Sequence, residues 1–145
     1  MSHEPTHWAD VPHAPPVGSC LAHRDDVADG EVVMRAWPPD GDAASQFAYL
    51  MLRSGDTIRV YVNRCAHFGV PLANKQAHLM YQPHTRITCN VHYAHYDWHD
   101  GHCLDGECAG TGLLPVPVSV DANGHVCVAA GILRPVVASI TMACA

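Results

Sequence analysis

Two short boxes concentrate the metal-binding side chains of this sequence: Cys65-Ala66-His67 and Cys89-Asn90-Val91-His92, with positions 68–88 between them. Each box offers one soft thiolate and one imidazole. A 2Fe-2S cluster with two cysteines on one iron and two histidines on the other needs that stoichiometry, and the mixed ligation raises its potential above that of an all-cysteine cluster. The same four side chains satisfy a tetrahedral Cys2His2 zinc site. Zinc sites generally place their ligands at closer knuckle spacings, so the wide interval favours iron and sulfur while the donor set alone leaves both metals open.

The elements that must hold these boxes read as short antiparallel strands. Apolar residues alternate over 17–22, 31–37, 46–53 and 57–63, separated by Gly- and Asp-rich turn signals. Ser54-Gly55-Asp56 suits a hairpin connection, which delivers the strand over 58–62 directly to Cys65. Residues 64–115 are dense in Cys, His, Gly and Tyr and poor in Lys, as expected of a subdomain built around a site. Beyond it, 116–120, the turn Asp121-Ala122-Asn123-Gly124 and 125–129 read as a last hairpin returning to the first sheet. Pro5, Pro12, Pro15 and Pro16 interrupt any periodicity over 1–16, which is expected to be a flexible leader. The tail over 131–145 receives no assignment. The expectation is one all-β domain over 17–130, an antiparallel β-sandwich with a small inserted cluster-binding subdomain over about 64–115.

Composition narrows the function classes. The chain has 145 residues, long enough for one domain with a real core. Only 15% of the residues are charged against 48% hydrophobic, and 11 Gly and 11 Pro fall between short apolar stretches, as in turn-rich β proteins. The net charge of −6 comes from 14 acids against 8 scattered bases, so the electrostatic footprint of a nucleic-acid binder is missing. Seven cysteines are an odd number, and Met1-Ser2-His3-Glu4 does not open a basic and apolar signal sequence. A reducing cytoplasm with metal-bound thiolates is the expectation. The apolar region over 126–145 is broken by Arg134 and Pro135, leaving neither half near the roughly 20 residues that cross a bilayer.

Around the two boxes the sequence resembles the Rieske family. Asn63-Arg64-Cys65-Ala66-His67-Phe68-Gly69-Val70-Pro71-Leu72 is similar to the first family box with its Gly-x-Pro-Leu turn. Cys89-Asn90-Val91-His92 continues into Tyr96-Asp97 and Asp100-Gly101, like the family's aromatic-Asp strand and Gly turn. The resemblance covers about 17–130 and implies one 2Fe-2S cluster, with Cys65 and Cys89 on one iron and His67 and His92 on the other, nearer solvent. Respiratory-type members carry two further, disulfide-bonded cysteines at the positions of Val70 and Val91; their joint replacement implies the ferredoxin or oxygenase branch. Two positions are implied to tune the potential. Ala94 stands where high-potential relatives have a Ser that donates to a bridging sulfur, and Tyr96 stands where a Tyr hydroxyl donates to a ligand cysteine.

Departures from the family pattern are also legible. The interval between His67 and Cys89 is longer than is common, and 73–85 is where an extra loop is expected. Tyr93 follows the second histidine where Gly is usual, and Glu107 follows Gly106 where the family often has Pro. A carboxylate there would disfavour reduction of an anionic cluster. Cys103 and Cys108 form a further pair, expected as free thiols in a reducing compartment in preference to a disulfide or a second metal site. Cys20, Cys127 and Cys144 sit in apolar runs and read as small buried thiols. His95 and His99 alternate with Tyr96 and Trp98 and belong on an exposed face, while His23, His78, His84, His102 and His125 read as ordinary surface residues.

The function expected from this reading is a one-electron carrier without a substrate-converting site of its own, a ferredoxin passing electrons from a reductase to a terminal oxygenase. One alternative is a small Rieske subunit of a larger oxidoreductase. An oxygenase would need a separate iron held by two histidines and a carboxylate, for which positions 93–145 leave little room. The other alternative is a structural zinc-binding interaction module. Neither nucleic acid nor membrane is an expected partner.

Overall fold

The computed structural model describes residues 7–64, 71–73, 75–89, 94–104 and 111–129. Among these the strands are β1 (Cys20–His23), β2 (Val32–Trp37), β3 (Phe47–Ser54), β4 (Thr57–Val62), β5 (Met80–Gln82), β6 (Arg86–Thr88), β7 (His95–Asp97), β8 (Pro115–Val116), β9 (Val118–Val120) and β10 (His125–Val128). They form three antiparallel sheets: a terminal sheet β1-β10-β9, a central sheet β2-β3-β4-β8 and a site sheet β5-β6-β7. The remaining helical pieces among the described residues are single 3-10 turns. The all-β sandwich expected from the sequence is the fold observed.

The central sheet is buried on both faces, and strand periodicity explains how. In β3, Phe47, Tyr49 and Met51 join Val33, Val60 and Val62 in a core shared with Leu21, Val126 and Val128 of the terminal sheet. Leu50 and Leu52 point the other way and join Val32 and Tyr61 in a core shared with Ile87, Tyr96 and Trp98. The pairings Tyr49↔Val62, Leu50↔Tyr61 and Met51↔Val60 keep the two sets on opposite faces. A slip of one residue would exchange both sets, so the register is strongly specified. The Tyr49 hydroxyl donates to the Leu21 carbonyl at 3.0 Å, tying the terminal and central sheets through a buried bond.

Turn chemistry sets the two hairpins expected from the sequence. Ser54 pairs with Thr57 across Gly55-Asp56, and Gly55 supplies a φ of +60°. Between β9 and β10 the Asp121 carboxylate accepts the backbone N–H groups of Asn123 and His125, each at 2.9 Å, which closes the turn locally.

Residues 75–85, within the stretch expected as an extra loop, carry structure of their own. A 3-10 turn at Gln76–His78 leads into β5. The Gln76 side chain pairs with the open edge of β2, accepting the Met34 N–H at 2.6 Å and donating to the Val32 carbonyl at 2.8 Å. One amide thus satisfies backbone groups that an uncovered edge strand would leave to solvent or to another chain.

The expectation of a flexible leader needs correction over residues 7–16. Trp8 begins a 3-10 turn and is 4% exposed, packed in the core between the terminal and central sheets with Val11 and Ala14 against it. Burial of a single indole outweighs the lack of local periodicity. Residues 1–6 and the tail from 130 lie outside the described residues. Cys20 and Cys127 also depart from expectation: Cys20 is exposed and Cys127 half-buried. Strand alternation places them on the outer face of the terminal sheet, while their neighbours Leu21, Val126 and Val128 take the core positions.

Candidate functional site

The first box leaves the central sheet at the end of β4. There the Val62 N–H donates to the Leu114 carbonyl at 2.9 Å and the Asn63 N–H to the Ala48 carbonyl at 3.0 Å, fixing the backbone up to the box. The Asn63 side-chain carbonyl then accepts the Leu72 N–H at 2.9 Å. Asn63 is the buried polar residue among the described ones, and Leu72 and Ala73 are buried beside it. One side chain therefore clasps both ends of the segment that carries Cys65 and His67. Those two residues, with Val70, lie outside the described ones.

The second box grows from the site sheet. Thr88 of β6 pairs with His95 of β7, and the Cys89 N–H donates to the Ala94 carbonyl at 2.8 Å, which closes the segment over 90–93 at its base. Cys89 is wholly buried and outside any disulfide, in one cluster with Leu72, Ala73, Tyr96 and Cys103, and Ala94 packs against that cluster. The bases of both boxes thus meet in a single apolar core. His92, Val91 and Tyr93 lie outside the described residues.

A third segment starts and ends at the same place. The Leu104 N–H donates to the His95 carbonyl at 2.8 Å, the Cys103 N–H to the Thr111 carbonyl at 2.9 Å, and Tyr96 forms an antiparallel bridge with Cys103. Residues 105–110, including Gly106, Glu107 and Cys108, lie outside the described ones. The expectation of a free thiol at Cys103 is overturned, because Cys103 is disulfide-bonded. Its side chain is buried and its backbone held between β7 and Thr111, so bridging it orders little that is not already ordered.

Below the second box, a chain of hydrogen bonds locks the turn after β7 to the central sheet. The Tyr61 hydroxyl donates to the Trp98 carbonyl at 2.9 Å, and the Trp98 indole donates to Ser54 Oγ at 2.8 Å. Ser54 Oγ lies 2.8 Å from His84 Nδ1. Burial pushes the Tyr61 hydroxyl well above the ordinary phenol range, so it acts as a neutral donor. Gly101, with φ of +80°, passes so close to the Tyr61 ring that an added Cβ would sit 2.8 Å from a ring carbon. The Asp-Gly turn noted in the sequence is required by this close approach.

Asp97, Asp100 and His102 bring three donor atoms together on the surface nearby. Asp100 and His102 are already bonded to each other, with the Asp100 carboxyl lowered chiefly by the His102 backbone N–H and the His102 imidazole raised chiefly by the Asp100 carboxylate. This is a self-satisfied turn. Of the two histidines expected on an exposed strand face, His99 is exposed but lies in the turn after β7, and His95, in β7, is half-buried.

Of the residues singled out by sequence, Cys89, Ala94 and Tyr96 are brought together. A buried cysteine at the base of the second box, taken with Cys65, His67 and His92 of the sequence, is a donor set that suits a Rieske cluster. Sequence reading missed the clasping role of Asn63, the edge-pairing Gln76 and the Tyr61–Trp98–Ser54 chain. The position of Asn63 directly before the first box was a signal for the first; nothing local marked the others.

Comparison with known proteins agrees with this geometry. The Rieske [2Fe-2S] domain model matches residues 19–123, and the chain belongs to that family. A Rieske domain binds a 2Fe-2S cluster, and such a centre exchanges one electron at a time. Among solved structures, the chain is similar to the ferredoxin of carbazole 1,9a-dioxygenase from Nocardioides aromaticivorans IC177, with 22% identity and a TM-score of 0.57, covering 79% of this chain and 98% of that one. It is similar to the Sphingomonas yanoikuyae B1 ferredoxin at 23% identity and a TM-score of 0.57, covering 78% and 98%. It also resembles the terminal oxygenase of carbazole 1,9a-dioxygenase from Nocardioides aromaticivorans IC177 at 25% identity and a TM-score of 0.59, covering 81% of this chain but 31% of that one. No curated protein matches in a sequence comparison. Among the described residues no helix is long and apolar enough to cross a membrane.

Proposed function

We propose that this protein is a ferredoxin-type one-electron carrier whose 2Fe-2S cluster is held by Cys65 and Cys89 on one iron and by His67 and His92 on the other. When bound, the cluster supplies reversible one-electron redox chemistry at a potential set by its surroundings. The chain's own residues do the rest. Asn63 and the Cys89–Ala94 bond hold the two ligand segments in place, and the core of Leu72, Ala73, Tyr96 and Cys103 excludes water behind them. The observation that carries the reading is the convergence of both box bases on one buried cluster that contains Cys89.

The partners in this reading are a reductase as donor and a terminal oxygenase as acceptor. Its support is the near-complete coverage of the two ferredoxins against partial coverage of the oxygenase. A place in the cytoplasm belongs to the same proposal. Iron and acid-labile sulfide analysis is expected to give two of each per chain. Changing Cys65, His67, Cys89 or His92 to Ala is expected to abolish the visible charge-transfer bands and the electron-paramagnetic-resonance signal of the reduced state. Stoichiometric zinc in colourless protein, purified without air, would overturn the cluster assignment. Failure to relay electrons from any flavin reductase to an oxygenase, with the cluster intact, would overturn the carrier role and favour a fixed subunit of a larger oxidoreductase.

A further inference from the structure

The terminal sheet, on the far side of the central sheet from the candidate site, carries two thiols that the redox centre does not use. Cys20 of β1 and Cys127 of β10 are direct partners in the antiparallel register, and neither is in a disulfide. The Val128 N–H donates to the Ser19 carbonyl at 2.9 Å, a bond one residue beyond the pair on each strand. That placement makes Cys20↔Cys127 a non-hydrogen-bonded pair, the kind in which Cα atoms stand about 4.5 Å apart and side chains lie closest. Disulfides span Cα separations of about 4.4–6.8 Å. The ladder thus sets the two residues opposite each other on the outer face, beside a bulge between Cys20 and Ala22 where the strand can bend to bring the thiols together.

The surroundings favour a sulfur–sulfur bond over a metal site. His23 and His125 form the next pair on this face, with ring centroids 5.5 Å apart. The two ring nitrogens of His23 are both engaged: Nδ1 accepts the Asp25 N–H at 3.0 Å, and Nε2 donates to the Asn123 carbonyl at 2.7 Å. His23 is thus a structural cap that offers no lone pair to a metal. His125 Nδ1 lies 3.4 Å from the Asp121 carboxylate. Each thiol makes a long contact with a backbone carbonyl of its own strand, Cys20 Sγ with Ala22 at 3.9 Å and Cys127 Sγ with His125 at 3.8 Å, which a sulfur–sulfur bond would replace. The Cys127 thiol is pushed up by burial first and then by its neighbour Cys20, so Cys20, the more exposed, is the better entry point.

We propose that Cys20 and Cys127 are a reversible cross-strand dithiol, oxidised to a disulfide by exchange with a small-molecule disulfide. The Cys20 thiolate attacks one sulfur of the small disulfide, breaking its S–S bond, forming a mixed disulfide and expelling the first thiolate. Cys127, as thiolate, then attacks Cys20 Sγ, forming the Cys20–Cys127 bond and expelling the second. The two protons of the protein thiols end on the two small-molecule thiols, and the electron pair given up by the protein reduces the small disulfide. The bond staples the first strand to the last and closes a loop of about 100 residues, the case in which cross-linking most constrains the unfolded chain.

The test uses the full-length protein carrying its cluster, equilibrated with graded ratios of oxidised and reduced glutathione, quenched by alkylation and mapped by mass spectrometry. The expected result is a linked peptide pair containing Cys20 and Cys127, lost on adding dithiothreitol. The oxidised form is expected to melt at least about 5 °C higher. Cys127→Ser is expected to trap a glutathione adduct on Cys20, because the resolving thiol is gone. Separate alkylation of both cysteines at the most oxidising ratio would overturn the proposal. So would a Cys20 bridge between two chains, or separate glutathione adducts on both residues of the unsubstituted protein. The mapping on unsubstituted protein stands whether or not the variants fold, and its outcome is independent of what the cluster site binds.

Discussion

The Asn63 side chain accepts the Leu72 backbone N–H at 2.9 Å, with both residues buried. This bond spans the segment that carries the first pair of proposed ligands, so it couples fold stability to cluster retention. Asn63→Ala leaves a buried N–H without its acceptor, a loss of about 1–3 kcal/mol. The expected outcome is a lower midpoint in denaturant and faster bleaching of the visible bands under an iron chelator. Unchanged bleaching in a variant of reduced stability would show that the clasp does not reach the cluster.

Ala94 and Tyr96 offer a test of the second box. Ala94 is fixed through its carbonyl to the Cys89 N–H, and Tyr96 is wholly buried in the cluster that contains Cys89. A potential in the lower part of the Rieske range of roughly −150 to +300 mV is expected, since Ala94 cannot donate a hydrogen bond to a sulfur. Ala94→Ser is expected to raise it and Tyr96→Phe to lower it, each by tens of millivolts. For one electron, 59 mV corresponds to about 1.4 kcal/mol, close to the worth of one such bond. Protein-film voltammetry measures both shifts, and an unmoved potential in Tyr96→Phe with an intact cluster would remove Tyr96 from this role.

Gly101→Ala combines two penalties. The backbone sits at φ of +80°, and the new Cβ would stand 2.8 Å from the Tyr61 ring and 3.2 Å from the Leu113 carbonyl. A loss of roughly 1–3 kcal/mol is expected. Because the ring belongs to the residue that donates to the Trp98 carbonyl, near-ultraviolet dichroism should change along with stability. A variant as stable as the parent would mean that the turn relaxes without cost.

The Asp100–His102 pair sets a pH dependence. The Asp100 carboxyl is lowered, first by the His102 backbone N–H, and the His102 imidazole is raised, first by the Asp100 side chain. The stabilisation from Asp100 is present above the ordinary carboxylate value and lost as pH falls through the lowered one. That from His102 is present below the ordinary imidazole value and lost as pH rises through the raised one. The pair is therefore strongest between roughly pH 4 and 6.5. Both groups are exposed, so the effect on stability is small and the sharper readout is the imidazole titration by nuclear magnetic resonance. His102 should titrate above an ordinary histidine, and Asp100→Asn should bring it back down; no change in Asp100→Asn would break the assignment.

Local signals carried the chemistry and the secondary structure. The Ser54-Gly55-Asp56 hairpin and the closing hairpin around Asp121 were legible because strand alternation and turn residues act over a few positions, and the two Cys-His boxes pointed to the family the chain belongs to. Tertiary structure alone decided which alternating set of β3 faces which sheet, since Leu50 and Met51 are equally apolar and differ only in what lies opposite them. It also decided that Trp8 docks, that Gln76 closes the edge of β2, and that Cys20 meets Cys127 across more than a hundred positions of chain. Each depends on a partner distant in sequence, and pattern in a single chain records a residue's own preference without naming the neighbour that folding brings to it.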